Sequence, residues 1–288
     1  MSSRLLYARG GNEALDVNPN TGTDIHVADS GSDWYWTVFC IMAVTSLGYI
    51  GLAYKVPRRN RFFHYLSIGA SFFACIQYFT MASNLGWAGV QTEFSHLQGG
   101  GIRQVFYARY IGWFMVAPLL ILNMCFLAGL NWITALFTAA MIGVYIIGGL
   151  VGVVVSSTYK WGFFTIGLAA WFLVAYQLIW VCLRSLNELQ SVAVEPKIRK
   201  YYRMLIGGVV FIYSLYPIAW GLSEGGNVIT PTSEGVFYGV LDIISLTILN
   251  SFCLCISQLV DIEELGLGIV GEPIAPAAAA APSTEKQN

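Results

Sequence analysis

Seven apolar stretches divide this chain, each long enough to cross a bilayer, and little polypeptide is left between them. A hydrocarbon core is crossed by a helix of ~20 mostly apolar residues, because a helix satisfies its own backbone polar groups away from water. The windows run Trp34–Tyr54, Phe63–Trp87, Val105–Leu127, Trp132–Val155, Trp161–Leu183, Met204–Leu222 and Gly235–Val260. The joints Ala128–Asn131 and Ser156–Lys160 are so short that the spans they join must be antiparallel neighbours. The pattern predicts an all-α, seven-transmembrane helix bundle. Composition agrees: soluble domains are about 25% charged, and here only 11% of residues are charged while 56% are hydrophobic. A nucleic-acid binder, a disordered chain and an ordinary cytosolic enzyme are excluded on that ground.

Basic residues give the direction of insertion. Lys55, Arg58, Arg59 and Arg61 follow the first span, and Arg184, Lys197, Arg199, Lys200 and Arg203 follow the fifth. The opposite side carries only Arg103 and Lys160 in its loops. The positive-inside bias then places the N-terminus outside and the C-terminus in the cytoplasm. Residues 1–33 read as a polar extracellular tail without signal-peptide features, 34–260 as the membrane domain, and 261–288 as a disordered Pro/Ala-rich cytoplasmic tail.

Few reactive groups are available. Cys40, Cys75, Cys125, Cys182, Cys253 and Cys255 all lie in apolar runs and read as structural thiols, with no bridge or metal expected. His26, His64 and His96 are scattered. With no nucleophile–base pair and no metal cluster, the chain does not read as an enzyme.

Ionisable groups at membrane depth are costly, so each is a functional hypothesis. Arg109 lies about one turn into the third span and Asp242 about two turns into the seventh. Both enter from outside, so an Arg109–Asp242 pair is expected. It has two readings, a lock between helices or part of an ion or proton path. Glu224 and Glu234 bracket the outer loop between spans six and seven, either solvated or relaying protons. Pro118 and Pro217 should kink their helices. Near them fall Trp113, Tyr145, Phe164, Tyr213, Tyr216 and Trp220, which either fill the core or line an apolar pocket. Gly148-Gly149-x-x-Gly152 marks a close helix contact.

Three segments carry a resemblance: ARYIGWFMVAPLLILN in span three, YSLYPIAWGLSEGG in span six and EGVFYGVLDIISLTILN in span seven. Their order and spacing resemble the microbial rhodopsins (type 1 opsins), their fungal members in particular, over roughly residues 34–262. The resemblance implies a bundle built around a retinal on a span-seven lysine, four residues after the span-seven aspartate. It places Arg109 on the family arginine, Asp242 on the second counter-ion, and Tyr78 and Tyr216 on the tyrosines that bond to that aspartate. Trp113, Tyr213 and Trp220 fall on pocket aromatics. Glu224 and Glu234 fall near the outer release glutamates, Glu224 with a one-residue offset.

The departures are equally specific. The lysine position is Leu246, and Lys55, Lys160, Lys197, Lys200 and Lys286 lie in loops, helix ends or the tail. No retinal Schiff base, and so no cofactor, is expected. The pump acceptor position is Gly112, the next turn is Val116, and the inner donor position is Asn123. Tyr145 stands where a smaller residue usually covers the retinal ring. Reconstruction of a pigment suggests itself as Leu246→Lys with Gly112→Asp.

This combination resembles the lysine-lacking fungal opsin-related proteins, including heat-shock-type members. That resemblance implies a multi-pass plasma-membrane protein in stress responses, with a regulatory or chaperone-like role toward the plasma-membrane proton ATPase or other membrane proteins, and homo-oligomers. The alternatives are a light-independent proton or ion conductor and a non-covalent binder of a lipophilic ligand.

Overall fold

A computed structural model of the chain describes residues 12–58, 61–97, 99–188 and 196–260. Seven helices are long and apolar enough to span a membrane: Asp29–Lys55, Arg61–Ala82, Tyr107–Leu127, Trp132–Val154, Lys160–Glu188, Pro196–Gly225 and Pro231–Ser257, numbered here as spans one to seven. The expected cytoplasmic tail, 261–288, lies outside the described residues.

Local chemistry sets the boundaries. Gly129, with φ of 70°, ends the turn after span three. Asn131 then caps span four through its side chain, which accepts from the Thr134 amide at 2.9 Å. Span seven opens on Pro231 at its first turn, capped by Thr230, which accepts from the Ser233 amide. Spans five, six and seven each contain a widened π turn, at Gln177–Cys182, Gly221–Gly225 and Ile244–Leu249. The last of these surrounds Leu246. Carbonyls loosened there are taken up by Tyr49, whose hydroxyl donates to Leu246 O at 2.9 Å and lies 3.0 Å from Ser251 Oγ.

The third span is the axis of the bundle. Of its apolar window, 56% is buried, against 28% for span one, which runs along the outside. Spans four and five meet closely where the sequence has glycines. A Cβ on Gly148 would lie 2.8 Å from Phe163 O and 2.9 Å from Gly167 Cα.

Two features at the end opposite the basic loops depart from the expected outline. Residues 88–91 and 102–105 form an antiparallel hairpin, β1 (Ala88–Gln91) and β2 (Ile102–Val105), between spans two and three. The segment read as a polar tail is folded in its described part. It holds a short helix, Glu13–Val17, and a parallel bridge from Ile25 to Arg103 on β2. Ile25 and Val27 are buried there, and span one starts at Asp29 rather than Trp34. Apolar residues spaced too sparsely to register as a span still suffice to seat this segment on the bundle.

Gly148→Val is expected to lower stability by about 1–3 kcal/mol, because the backbones of spans four and five must separate. Thermal unfolding in detergent followed by tryptophan fluorescence checks this, with Gly162→Val, at a position facing open space, left near wild type.

Candidate functional site

Three polar layers are stacked along the bundle axis. The first, at the hairpin end, is ionic. Arg109 Nη1 bonds to Glu234 Oε1 and lies 3.4 Å from Glu224 Oε1, while Nη2 donates to the Tyr35 hydroxyl at 2.9 Å. Arg103 donates from Nη2 to Glu234 Oε2 at 2.7 Å and from Nη1 to Asn227 Oδ1 at 2.8 Å and Ile229 O at 2.9 Å. Glu234 is thus held between two guanidiniums. Glu224 accepts from Tyr110 at 3.0 Å and from Tyr238 at 3.2 Å, and has Ser223 Oγ 2.8 Å away. The Arg109 guanidinium also sits 4.7 Å from the Tyr238 ring. Lys160 closes the rim, paired with Glu93 at 2.9 Å and donating to Gly225 O at 2.8 Å.

This arrangement corrects three expectations. Arg109 does not pair with Asp242: among the described residues its carboxylate partners are Glu234 and Glu224. Eight residues of helix put Asp242 about 12 Å further along the axis than Glu234, so the nearer carboxylate takes the arginine. Glu224 and Glu234 are not solvated loop groups; they are 8% and 1% exposed. Arg103 and Lys160, counted with the loops at this end, are buried rather than solvated, on β2 and at the first residue of span five. Glu224 lies in the wide turn at 221–225, and its side chain is held inward there.

The second layer is an aromatic chamber. Asp242 accepts from Tyr78 at 2.5 Å, from Tyr216 at 2.6 Å and from Trp113 Nε1 at 3.0 Å. These donors suit a carboxylate, which only accepts. Trp113, Tyr145, Phe164, Tyr213, Tyr216, Trp220 and Leu246 line one cavity with Asp242, Val116 and Ser245. Non-atom space within it totals about 660 Å³, including the part that opens outward. Phe164 stacks on Trp220 with centroids 4.5 Å apart, and Trp171 stacks on Tyr213 behind the wall. Tyr145 forms part of that wall.

Leu246 is 2% exposed, and no lysine is in the chamber wall among the described residues. The residues present therefore do not fit a covalently held retinal, whose aldehyde needs an amine. At Gly112 the reason for glycine is plain. A Cβ there would fall 2.1 Å from Gln77 Oε1 and 2.7 Å from Gln77 Cβ. The buried Gln77 amide thus fills the space next to Gly112 where a longer side chain would go, and its Nε2 has no partner among the described residues. In the reconstruction Leu246→Lys with Gly112→Asp, the new carboxylate would meet Gln77.

The third layer is made of amides and hydroxyls. Asn123 Nδ2 donates to Ser67 Oγ at 2.9 Å, and Ser67 Oγ donates to Asn250 Oδ1 at 3.0 Å. Along span three, Val116 and Leu120 separate this layer from Gly112, and along span seven Leu246 separates it from Asp242. All three are at most 3% exposed. Among the described residues no group of His, Cys, Asp and Glu is placed to hold a metal.

Several of these residues escape sequence reasoning. Tyr35, Gln77, Ser67, Asn227 and Asn250 are neutral, and a search for charges in apolar spans passes over them. The available signal was that polar amides at membrane depth are also costly unless bonded.

This fold is that of a seven-helix opsin. Residues 30–255 match the profile of a family described as bacteriorhodopsin-like protein, and the chain belongs to that family. It is 42% identical to the opsin-like protein carO of Fusarium fujikuroi, over 92% of this chain and 86% of that one. It is 37% identical to the 30 kDa heat shock protein of Saccharomyces cerevisiae, over 81% of this chain and 74% of the relative. Among solved structures, a light-driven proton pump from Leptosphaeria maculans superposes with a TM-score of 0.74 at 27% identity, covering 84% of this chain and 99% of the pump.

Three measurements follow from the geometry. Glu234→Gln leaves two buried guanidiniums facing one carboxylate and should destabilise by about 3–5 kcal/mol. In double-mutant cycles, Arg109→Leu should couple to Glu234→Gln by at least about 1 kcal/mol more than to Asp242→Asn; equal coupling contradicts the assigned partners. Gly112→Asp alone should lower the unfolding temperature, and Gln77→Ala in the same chain should recover most of the loss.

Proposed function

We propose that this chain is a non-photoactive opsin-related protein of the plasma membrane that holds no covalent retinal and has a regulatory or chaperone-like role under stress. The observation that carries the reading is Leu246 in the chamber wall, with the rest of the opsin framework around it. A chain that kept the bundle and the outer ionic layer while replacing the attachment residue has been selected for something other than light absorption. Relatives in yeast include one protein named for heat shock, which favours a stress role over pumping. In this reading the N-terminus is outside, the basic end is cytoplasmic and the partners are other membrane proteins, the proton ATPase among them.

The separation between layers weighs against a light-independent conductor. Protons travel along hydrogen-bonded groups or water, and Val116, Leu120 and Leu246 put apolar side chains between Asp242 and the Asn123–Ser67–Asn250 group. The chamber itself favours a second reading, a non-covalent lipophilic ligand held by aromatic faces with a polar end toward Asp242 and Ser245.

All-trans retinal added to the purified protein should give no red-shifted, hydroxylamine-resistant band; such a band sinks the reading. Leu246→Lys with Gln77→Ala and Gly112→Asp should produce one, and should outperform the double change that leaves Gln77 in place. Proteoliposomes under a pH gradient should show equal proton flux for wild type and Asp242→Asn. The stress role is tested by cross-linking in heat-stressed fungal cells, where recovery of the proton ATPase above unstressed levels is expected and an unchanged partner set counts against it.

A further inference from the structure

The outer surface at the basic end carries a site unrelated to the chamber. Ile50, Ala53 and Tyr54 lie on one face of span one, at helical spacing of three and four. Arg61, Tyr65 and Ile68 lie likewise on one face of span two. Together these six residues line a groove with about 380 Å³ of non-atom space, open toward the surroundings of the bundle. Its apolar part is made by Ile50, Ala53 and Ile68. Its polar part holds two tyrosines and an arginine, and those tyrosines are largely exposed, at 77% for Tyr54 and 60% for Tyr65.

Arg61 is fixed in place. Its Nε donates to Val56 O at 3.0 Å, tying the side chain to the turn that follows span one. Among the described residues no carboxylate forms an ion pair with it and no hydrogen bond engages its Nη groups. Lys55 and Arg58 are exposed in the same turn. The groove therefore joins an apolar floor, at the depth of membrane-spanning helices, to an uncompensated cationic mouth with two phenols.

We propose that this groove binds one anionic phospholipid, its acyl chain over Ile50, Ala53 and Ile68 and its phosphate at Arg61 between Tyr54 and Tyr65. A lipid is the occupant because the floor faces the hydrocarbon that surrounds a membrane span. A planar guanidinium held at Nε presents two N–H groups that match two phosphate oxygens. Net negative charge is selected because Lys55, Arg58 and Arg61 together attract an anionic headgroup and repel the ammonium of a phosphocholine.

The test is native mass spectrometry of the delipidated full-length chain in detergent, offered equal amounts of phosphatidylserine and phosphatidylcholine. Wild type should retain one phosphatidylserine in preference. Arg61→Ala should reduce that preference at least about fivefold. Ile50→Trp, which fills the floor without touching the cation, should reduce retention of either lipid. Lys200→Ala, at the same end of the bundle but outside the groove, should leave retention at the wild-type level. Equal retention of the two lipids by wild type overturns the proposal, as does an unchanged preference in Arg61→Ala or an unchanged retention in Ile50→Trp. Displacement of the lipid by inorganic phosphate at matching concentration also overturns it, since the site would then take a free anion.

Discussion

Two buried guanidiniums at the end of an apolar bundle need carboxylates, and the rest of the outer architecture follows from meeting that need. Glu234 receives both Arg103 and Arg109, and Glu224 lies beside Arg109 with two tyrosine donors. Two cations and two carboxylates balance formally, so the layer holds charge without net charge. Arg103 comes from β2, Arg109 from span three, Glu224 from the wide turn of span six and Glu234 from the first turn of span seven. Each element is fixed by what it delivers. The hairpin in particular has little core of its own, and its place is secured by Arg103 and by the Ile25 bridge.

Below this layer the chemistry changes without a continuous link. Asp242 is satisfied by Tyr78, Tyr216 and Trp113, all uncharged. Its needs are met locally, which explains how it persists without an arginine partner. Gln77 and Gly112 work as a pair: the amide fills the volume that the missing side chain leaves, and the glycine is what makes room for it. The site is therefore packed rather than hollow at that point, while Leu246 lines the chamber beside it.

The spans were legible in the sequence because a hydrocarbon solvent imposes a length and an apolar character on every one of them. The aromatic cluster was legible too, from Trp113 near Pro118 and from Tyr213, Tyr216 and Trp220 around Pro217, with core and pocket left as its two readings. What the sequence withheld was partner choice. Arg109, Asp242, Glu224 and Glu234 were all visible, yet pairing depends on axial depth, and the depths of the two glutamates turn on a local widening of span six and on where span seven starts. The hairpin was missed because its strands are four residues each and lie in a segment without strong alternation. Gln77 was missed because its role exists only across the helix interface, opposite an absent side chain.

The broadened coil at Gly221–Gly225 has an evolutionary reading. Adding one residue to a regular helix swings everything beyond it by about 100°, which would turn an inward acid out to lipid. A local bulge takes up that swing, so a lineage can gain or drop a single codon there and keep the same inward-facing acid. Length variation, not only amino-acid exchange, thereby becomes a tolerated route for remodelling the mouth of this bundle.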